Sequence, residues 1–116
     1  MARSTEQVFQ DHVSALARGD LQSLMADYAD DAVLMTMDGA FVGKAAIQDF
    51  FIKVLSALPN AKLSGTGHIV HGDVVLTTWS GVSDVAIIPH GVDTFVIRDD
   101  RIRLQTAWFT VVPKGA

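Results

Sequence analysis

An α+β domain is the fold class this sequence predicts, and three observations point to it. Helical periodicity occupies the first half and strand-like alternation the second, which separates α+β from an alternating α/β architecture. Apolar residues make up 49% of the chain against 19% charged, so an ordered core is expected rather than a disordered segment. The 116 residues fit a single domain, 1–116, with no repeat, linker or low-complexity tract to divide them.

Ser4 and Gln7 have the spacing of a capping box, a helix-start signal. Val8, Phe9, His12, Val13 and Leu16 then share one helical face. Gly19 ends that helix. Asp20 caps a short second one, on which Leu21, Leu24, Met25 and Tyr28 form a stripe. Residues 32–37 read as a strand, closed by the turn signal Asp38-Gly39. A third helix is expected from Lys44, carrying Ile47, Phe50, Phe51, Val54, Leu55 and Leu58, and Pro59-Asn60 stops it. Strands are expected at 62–70, 74–82, 84–97 and 101–112, with turns at Gly72-Asp73 and Asp99-Asp100 and another candidate between Gly81 and Asp84. Pro89 and Gly91 inside the third of these strands predict a bulge or an edge kink, since proline donates no ladder hydrogen bond. Three helices laid on a strongly curved, mixed or antiparallel sheet would enclose a tapering pocket.

Composition narrows the function. A net charge of −4 without a basic stripe argues against nucleic acid and against an anionic membrane, because both need clustered Lys and Arg. The absence of cysteine excludes disulfides and thiolate chemistry. No apolar run suits a secretory signal or a membrane span, so a soluble, cytoplasmic protein is expected. His68 and His71 fall on opposite faces of a strand, His90 sits in the expected bulge, and no HExxH pattern occurs. No metal site and no cofactor are therefore expected.

The runs Ala17-Arg18-Gly19-Asp20-Leu21 and Tyr28-Ala29-Asp30-Asp31-Ala32-Val33, then Asp38-Gly39, Phe41-Val42-Gly43 and Ala46-Ile47, resemble the SnoaL-like and ketosteroid-isomerase-like families. Asp93-Thr94-Phe95, Arg101-Ile102 and Trp108-Phe109 extend the resemblance over nearly the whole chain. It implies the cone-shaped nuclear-transport-factor-2-like, or cystatin-like, fold. This fold hosts isomerases, cyclases, dehydratases and non-catalytic binding modules alike. In ketosteroid isomerases a helix tyrosine and a protonated strand aspartate form an oxyanion hole, and a second aspartate shuttles the proton. The resemblance places His12 at the tyrosine position, Asp93 at the oxyanion-hole aspartate and Thr36 at the shuttling aspartate, with Asp38 two residues beyond. The family's base is thus missing from its usual place, which argues against steroid isomerisation by the family's route.

His12, Asp93 and Asp38 are accordingly the candidate catalytic residues. A polar ring on an apolar helix face is costly unless it is partnered. If Asp93 lies opposite, an ionised Asp93 would make His12 a general base, or a neutral Asp93 would donate to a substrate oxyanion beside it. The plainer alternatives are a histidine satisfied by a backbone carbonyl, and turn roles for Asp93 and Asp38. Thr36, Tyr28, Phe51, Trp79, Phe95 and Phe109 are candidate substrate-binding residues, implying a small hydrophobic ligand. Trp108, Leu104 and Ile102 would project from the opposite sheet face. That face asks to be covered, and a homodimer is expected. Two functions fit: a cofactor-independent acid–base enzyme on a hydrophobic carbonyl or polycyclic molecule, or a non-catalytic ligand-binding or dimerisation domain.

Overall fold

The computed structural model describes residues 2–115. Helix α1 (Thr5–Ala17) and helix α2 (Leu21–Ala26) lead into strands β1 (Tyr28–Thr36) and β2 (Gly39–Val42). Helix α3 (Lys44–Ala57) follows, then β3 (Lys62–His71), β4 (Val74–Val82), β5 (Ala86–Arg98), β6 (Arg101–Phe109) and β7 (Val112–Pro113). One sheet runs in the order β2-β1-β6-β5-β4-β3, with β7 pairing β5. Only the β1–β6 pair is parallel, so the sheet is mixed.

Local chemistry sets the helix ends. The Ser4 hydroxyl accepts from the Gln7 amide at 3.0 Å, but the Gln7 side chain donates to Asp11 instead of reaching back, so the capping box is half formed. Gly19 takes φ 65° and ends α1. The Asp20 carboxylate then accepts from the Ser23 amide at 3.1 Å and starts α2.

Curvature comes from bulges. Along β4–β5, Trp79 pairs Gly91 while Gly81 pairs Ile88, leaving Pro89-His90 opposite the single Ser80. That is the expected irregularity. A second bulge sits at Thr66, between the pairs Gly65–Trp79 and Gly67–Thr78. Each extra residue bends its strand, and the sheet wraps around α1 and α3. Buried Val8, Leu24, Leu34, Ile47, Val75 and Ile102 pack beneath the helices; a fully buried side chain of this kind contributes roughly 1.5–3 kcal/mol.

Four expectations need correction. Tyr28 opens β1 rather than extending the α2 stripe, because α2 ends at Ala26 with Asp27, one residue earlier, as its C-cap. Gly39–Val42, where the sequence predicts no element beyond the turn at Asp38-Gly39, is a strand pairing with β1 from Val33 to Thr36. The last expected strand breaks after Phe109, and Val112–Pro113 pairs β5 instead. Ile102 is fully buried, not outward. A bulge at Arg103, between the pairs Val96–Leu104 and Ile97–Ile102, resets the alternation and turns the side chain inward. No helix among the described residues is long and apolar enough to cross a membrane.

Candidate functional site

Between the helices and the concave sheet face lies a chamber of about 550 Å³. Phe9 and His12 reach it from α1, Phe50 and Phe51 from α3, and Thr77, Trp79, Asp93, Phe95, Gln105 and Phe109 from the sheet. Among the described residues no Lys or Arg lines it, and its titratable groups are His12, His68 and Asp93. Most of the wall is apolar; on one part of it Trp79, Asp93 and Gln105 are joined by hydrogen bonds.

Asp93 occupies that region. It is 8% exposed on the inward row of β5 that also carries Phe95 and Ile97. One carboxylate oxygen accepts from Trp79 Nε1 at 2.9 Å and the other from Gln105 Nε2 at 2.9 Å. Burial raises this carboxyl above the ordinary aspartate range, and the two neutral donors and the His12 imidazole pull it back only in part. Trp79 can reach Asp93 because Gly91 lies under its ring: a Cβ at position 91 would sit 2.2 Å from the indole. The glycine is needed for space.

His12 is 2% exposed and lines the same chamber, as the resemblance implies. It does not pair with Asp93. Its Nε2 lies 3.4 Å from the Tyr28 hydroxyl, and its Nδ1 lies 3.7 Å from Asp27 Oδ2, too far for a hydrogen bond. The Tyr28 hydroxyl in turn donates to Gln105 Oε1. Two side chains thus stand between the expected partners, and the carboxylate nearest His12 is Asp27. The cause is geometric: Gln105 lies next to Asp93 on the inward face of the sheet, and Tyr28 enters from β1 alongside β6.

Asp27 belongs to a different electrostatic setting. Arg3 Nη1 donates to it at 2.9 Å and to Asp11 at 3.0 Å, while Arg3 Nε donates to Asp100 at 2.7 Å. Burial raises the Asp27 carboxyl, but the neighbouring imidazole and the Arg3 guanidinium outweigh it and hold it below the usual range. Burial, with Asp93 and Asp27 nearby, pushes the Tyr28 phenol far up, so it remains a hydroxyl.

Of the expected substrate-binding residues, Phe51, Trp79, Phe95 and Phe109 all line the chamber. Trp79 and Phe109 meet at a tilt of 55° with ring centroids 5.4 Å apart, and Phe95 meets His12 edge-on at 5.4 Å. Tyr28, Thr36 and Asp38 are not among the chamber-lining residues. Tyr28 is 1% exposed and sealed behind the wall. Thr36 and Asp38 sit at the β1–β2 turn, where the Thr36 hydroxyl accepts from the Asp38 amide at 3.1 Å. Two groups escaped the sequence reading. Gln105 shares the period-2 face of Ala107 and Phe109, a signal that was there to follow; nothing in the sequence ties Asp27 to His12 or Arg3.

Among the described residues, no three His, Cys, Asp or Glu side chains cluster closely enough to hold a metal ion.

Comparison with known proteins agrees with this fold. The SnoaL-like domain family matches residues 9–105. The structure of TerC crystallised with polyporic acid is similar at a TM-score of 0.78 and 15% identity, covering 91% of each chain. A candidate polyketide cyclase from Sinorhizobium meliloti matches at a TM-score of 0.79 and 19% identity, over 87% of this chain and 93% of that one. An epoxide hydrolase of the LEH-like type from M. tuberculosis matches at 0.75 and 16%, over 91% and 82%. At such identities the likeness establishes the fold. No curated protein matches the sequence.

Proposed function

Because the chain belongs to the SnoaL-like domain family, we propose that it is a cofactor-independent acid–base enzyme of the isomerase, cyclase or dehydratase type. Its substrate is a neutral, hydrophobic molecule carrying a carbonyl, with fused or aromatic rings. One observation carries this reading: Asp93 is a buried carboxyl with a raised pKa, held by two neutral donors at the floor of an apolar chamber without a cationic side chain.

A carboxyl in that setting is a stronger base than an exposed one and also holds its proton closer to neutrality. As carboxylate, Asp93 takes a proton from the carbon beside the substrate carbonyl, and the C–H electrons move to the carbonyl oxygen as an enolate. As carboxylic acid, it returns that proton to carbon or to a departing oxygen. His12 acts from behind, through Tyr28, since its nitrogens face Tyr28 and Asp27. The chamber volume suits a ligand of several rings, and the walls formed by Phe51, Trp79, Phe95 and Phe109 suit flat apolar surfaces. That a related fold crystallised with polyporic acid supports small-molecule binding.

The test is deuterium exchange at the carbon beside the carbonyl of bound polycyclic ketones. Asp93→Asn should slow exchange and turnover by roughly 10²–10⁴-fold, the usual worth of a positioned acid–base group. A substituted protein that exchanges as fast as the parent overturns the assignment. The second reading, a binding module, is favoured by the position of Thr36 and Asp38 outside the chamber, which leaves no second carboxyl there. Ketones that bind without any exchange would establish it.

The outer sheet face supports a homodimer. Its rows run Met35–Thr106–Thr94–Leu76–Ile69 and Val33–Leu104–Val96–Val74–His71, apolar but for threonines and the terminal His71, and Trp108 stands 66% exposed. No charge interrupts these rows, so a second copy is the natural cover, pairing the same patch on both subunits. Sedimentation should give a dimer that Trp108→Glu converts to monomer; a monomeric parent at high micromolar concentration contradicts it.

A further inference from the structure

We propose that Gln105 and Tyr28 form a reversible hydrogen-bond relay through which the protonation of Asp93 sets the tautomer of His12. The proposal rests on the reading of Asp93 as the proton-carrying group and names the residues that act through it. Four elements contribute one member each: Asp93 from β5, Gln105 from β6, Tyr28 from β1 and His12 from α1. All four side chains are buried, and consecutive members are joined by the contacts Asp93–Gln105, Gln105–Tyr28 and Tyr28–His12.

Direction follows from the donor inventory. An ionised Asp93 only accepts, so Gln105 turns its NH₂ toward it and its carbonyl toward Tyr28. The Tyr28 hydroxyl therefore donates to Gln105 and offers only its lone pairs to His12, which in a neutral ring favours the proton on Nε2. A protonated Asp93 instead donates to the Gln105 carbonyl. The amide then rotates and donates to Tyr28, whose hydroxyl turns to donate to His12. Nε2 becomes an acceptor, and the ring proton stands on Nδ1, facing Asp27 Oδ2 at 3.7 Å.

In the observed arrangement Nδ1 is the buried side-chain polar atom, among the described residues, that has no hydrogen-bond partner. The reversed relay supplies it with a proton and a carboxylate to face. Proton balance is simple. Asp93 gains one proton from substrate or solvent; the imidazole releases its Nε2 proton to solvent in the chamber that His12 lines and takes one from the same solvent at Nδ1, with no net change on the ring. The Gln105 amide rotates and passes none. The groups facing His12 are Asp27 from the α2 cap, Tyr28 from β1 and Phe95 and Asp93 from β5, with Arg3 acting through Asp27. Because the buried phenol keeps its proton, Tyr28 can serve in both directions.

The experiment is nitrogen-15 NMR of histidine-labelled protein without substrate, at a pH where the parent's Asp93 is ionised. The parent should show His12 protonated on Nε2. Asp93→Asn mimics the protonated carboxyl, because its amide donates to Gln105 while its carbonyl still accepts from Trp79. It should move the Nε2 resonance into the unprotonated range and leave the proton on Nδ1. In a Tyr28→Phe background the same substitution should change nothing at His12. Gln105→Met cuts the relay at its other joint and serves if Tyr28→Phe fails to fold. An unchanged tautomer in Asp93→Asn overturns the relay, and so does a full switch that persists in the cut backgrounds. No turnover is involved, so the relay can fail while Asp93 still drives exchange, or hold in a protein that exchanges nothing.

Discussion

Asp27 and Asp93 are both buried aspartates near His12, Asp27 directly and Asp93 behind Tyr28 and Gln105, and they are driven in opposite directions. Asp27 lies against the cluster of Arg3, Asp11 and Asp100, where a guanidinium and an imidazole hold it ionised below the usual range. Asp93 lies on the chamber floor with Trp79 and Gln105, neutral donors that only partly offset burial. Residue type is the same; the difference is the charge of the partner. Two carboxyls pushed apart in this way mark which one carries protons and which one stays charged. Asp27 is held ionised by its cation, whereas burial biases Asp93 toward its protonated form, the property on which the proposed function rests.

Breaking the Asp27 side should weaken folding about as much as any single change at either site. Arg3→Ala removes donors to three carboxylates and leaves Asp27 buried without its guanidinium. With hydrogen bonds to charged groups worth about 1.5–3 kcal/mol each, and Arg3 partly exposed, a loss of roughly 1–3 kcal/mol is expected from urea midpoints. On the Asp93 side, Gly91→Ala forces the indole of Trp79 off its strand. Overpacking of that kind typically costs about 1–3 kcal/mol, and it should lower exchange activity as well, by withdrawing a donor from Asp93.

Stability against pH should separate the two carboxyls by sign. The Asp27 carboxyl is lowered on folding, so its contribution is present above the ordinary carboxylate range and is lost as pH falls through its folded value. Asp93 is raised, so the folded state binds its proton more tightly than the unfolded one. That advantage is complete below about pH 3.9, the ordinary aspartate value, and disappears as pH rises through the folded value. Thermal melts should therefore show Asp27→Asn flattening the acid limb and Asp93→Asn flattening the decline above it. A matching response in the two variants would erase the distinction. The smallest effect belongs to Asp38→Asn at the β1–β2 turn, expected within about ±0.5 kcal/mol.

Element order, helix faces and the inward row of Asp93, Phe95 and Ile97 were legible because they follow periods of 3.6 and 2. Pro89 and Gly91 signalled the bulge for the same local reason. Ile102 was misplaced because the bulge at Arg103 has no such marker: no proline or glycine announces it. The direct pairing of His12 with Asp93 failed at a further level. The resemblance brought both residues to one chamber, but which side chains stand between them depends on the β1–β6 register. That parallel pairing, interrupted between Tyr28 and Val33, joins strands distant in sequence. Arg3 lay beyond reach likewise, since its partners Asp100, Asp27 and Asp11 meet only in the folded chain.

Carbon-13 NMR of the aspartate carboxyls, followed through a pH titration of the unliganded protein, addresses the division of labour most directly. The structure predicts that Asp93 titrates above the ordinary aspartate range and Asp27 below it. An Asp93 midpoint at or below that of Asp27 would contradict it.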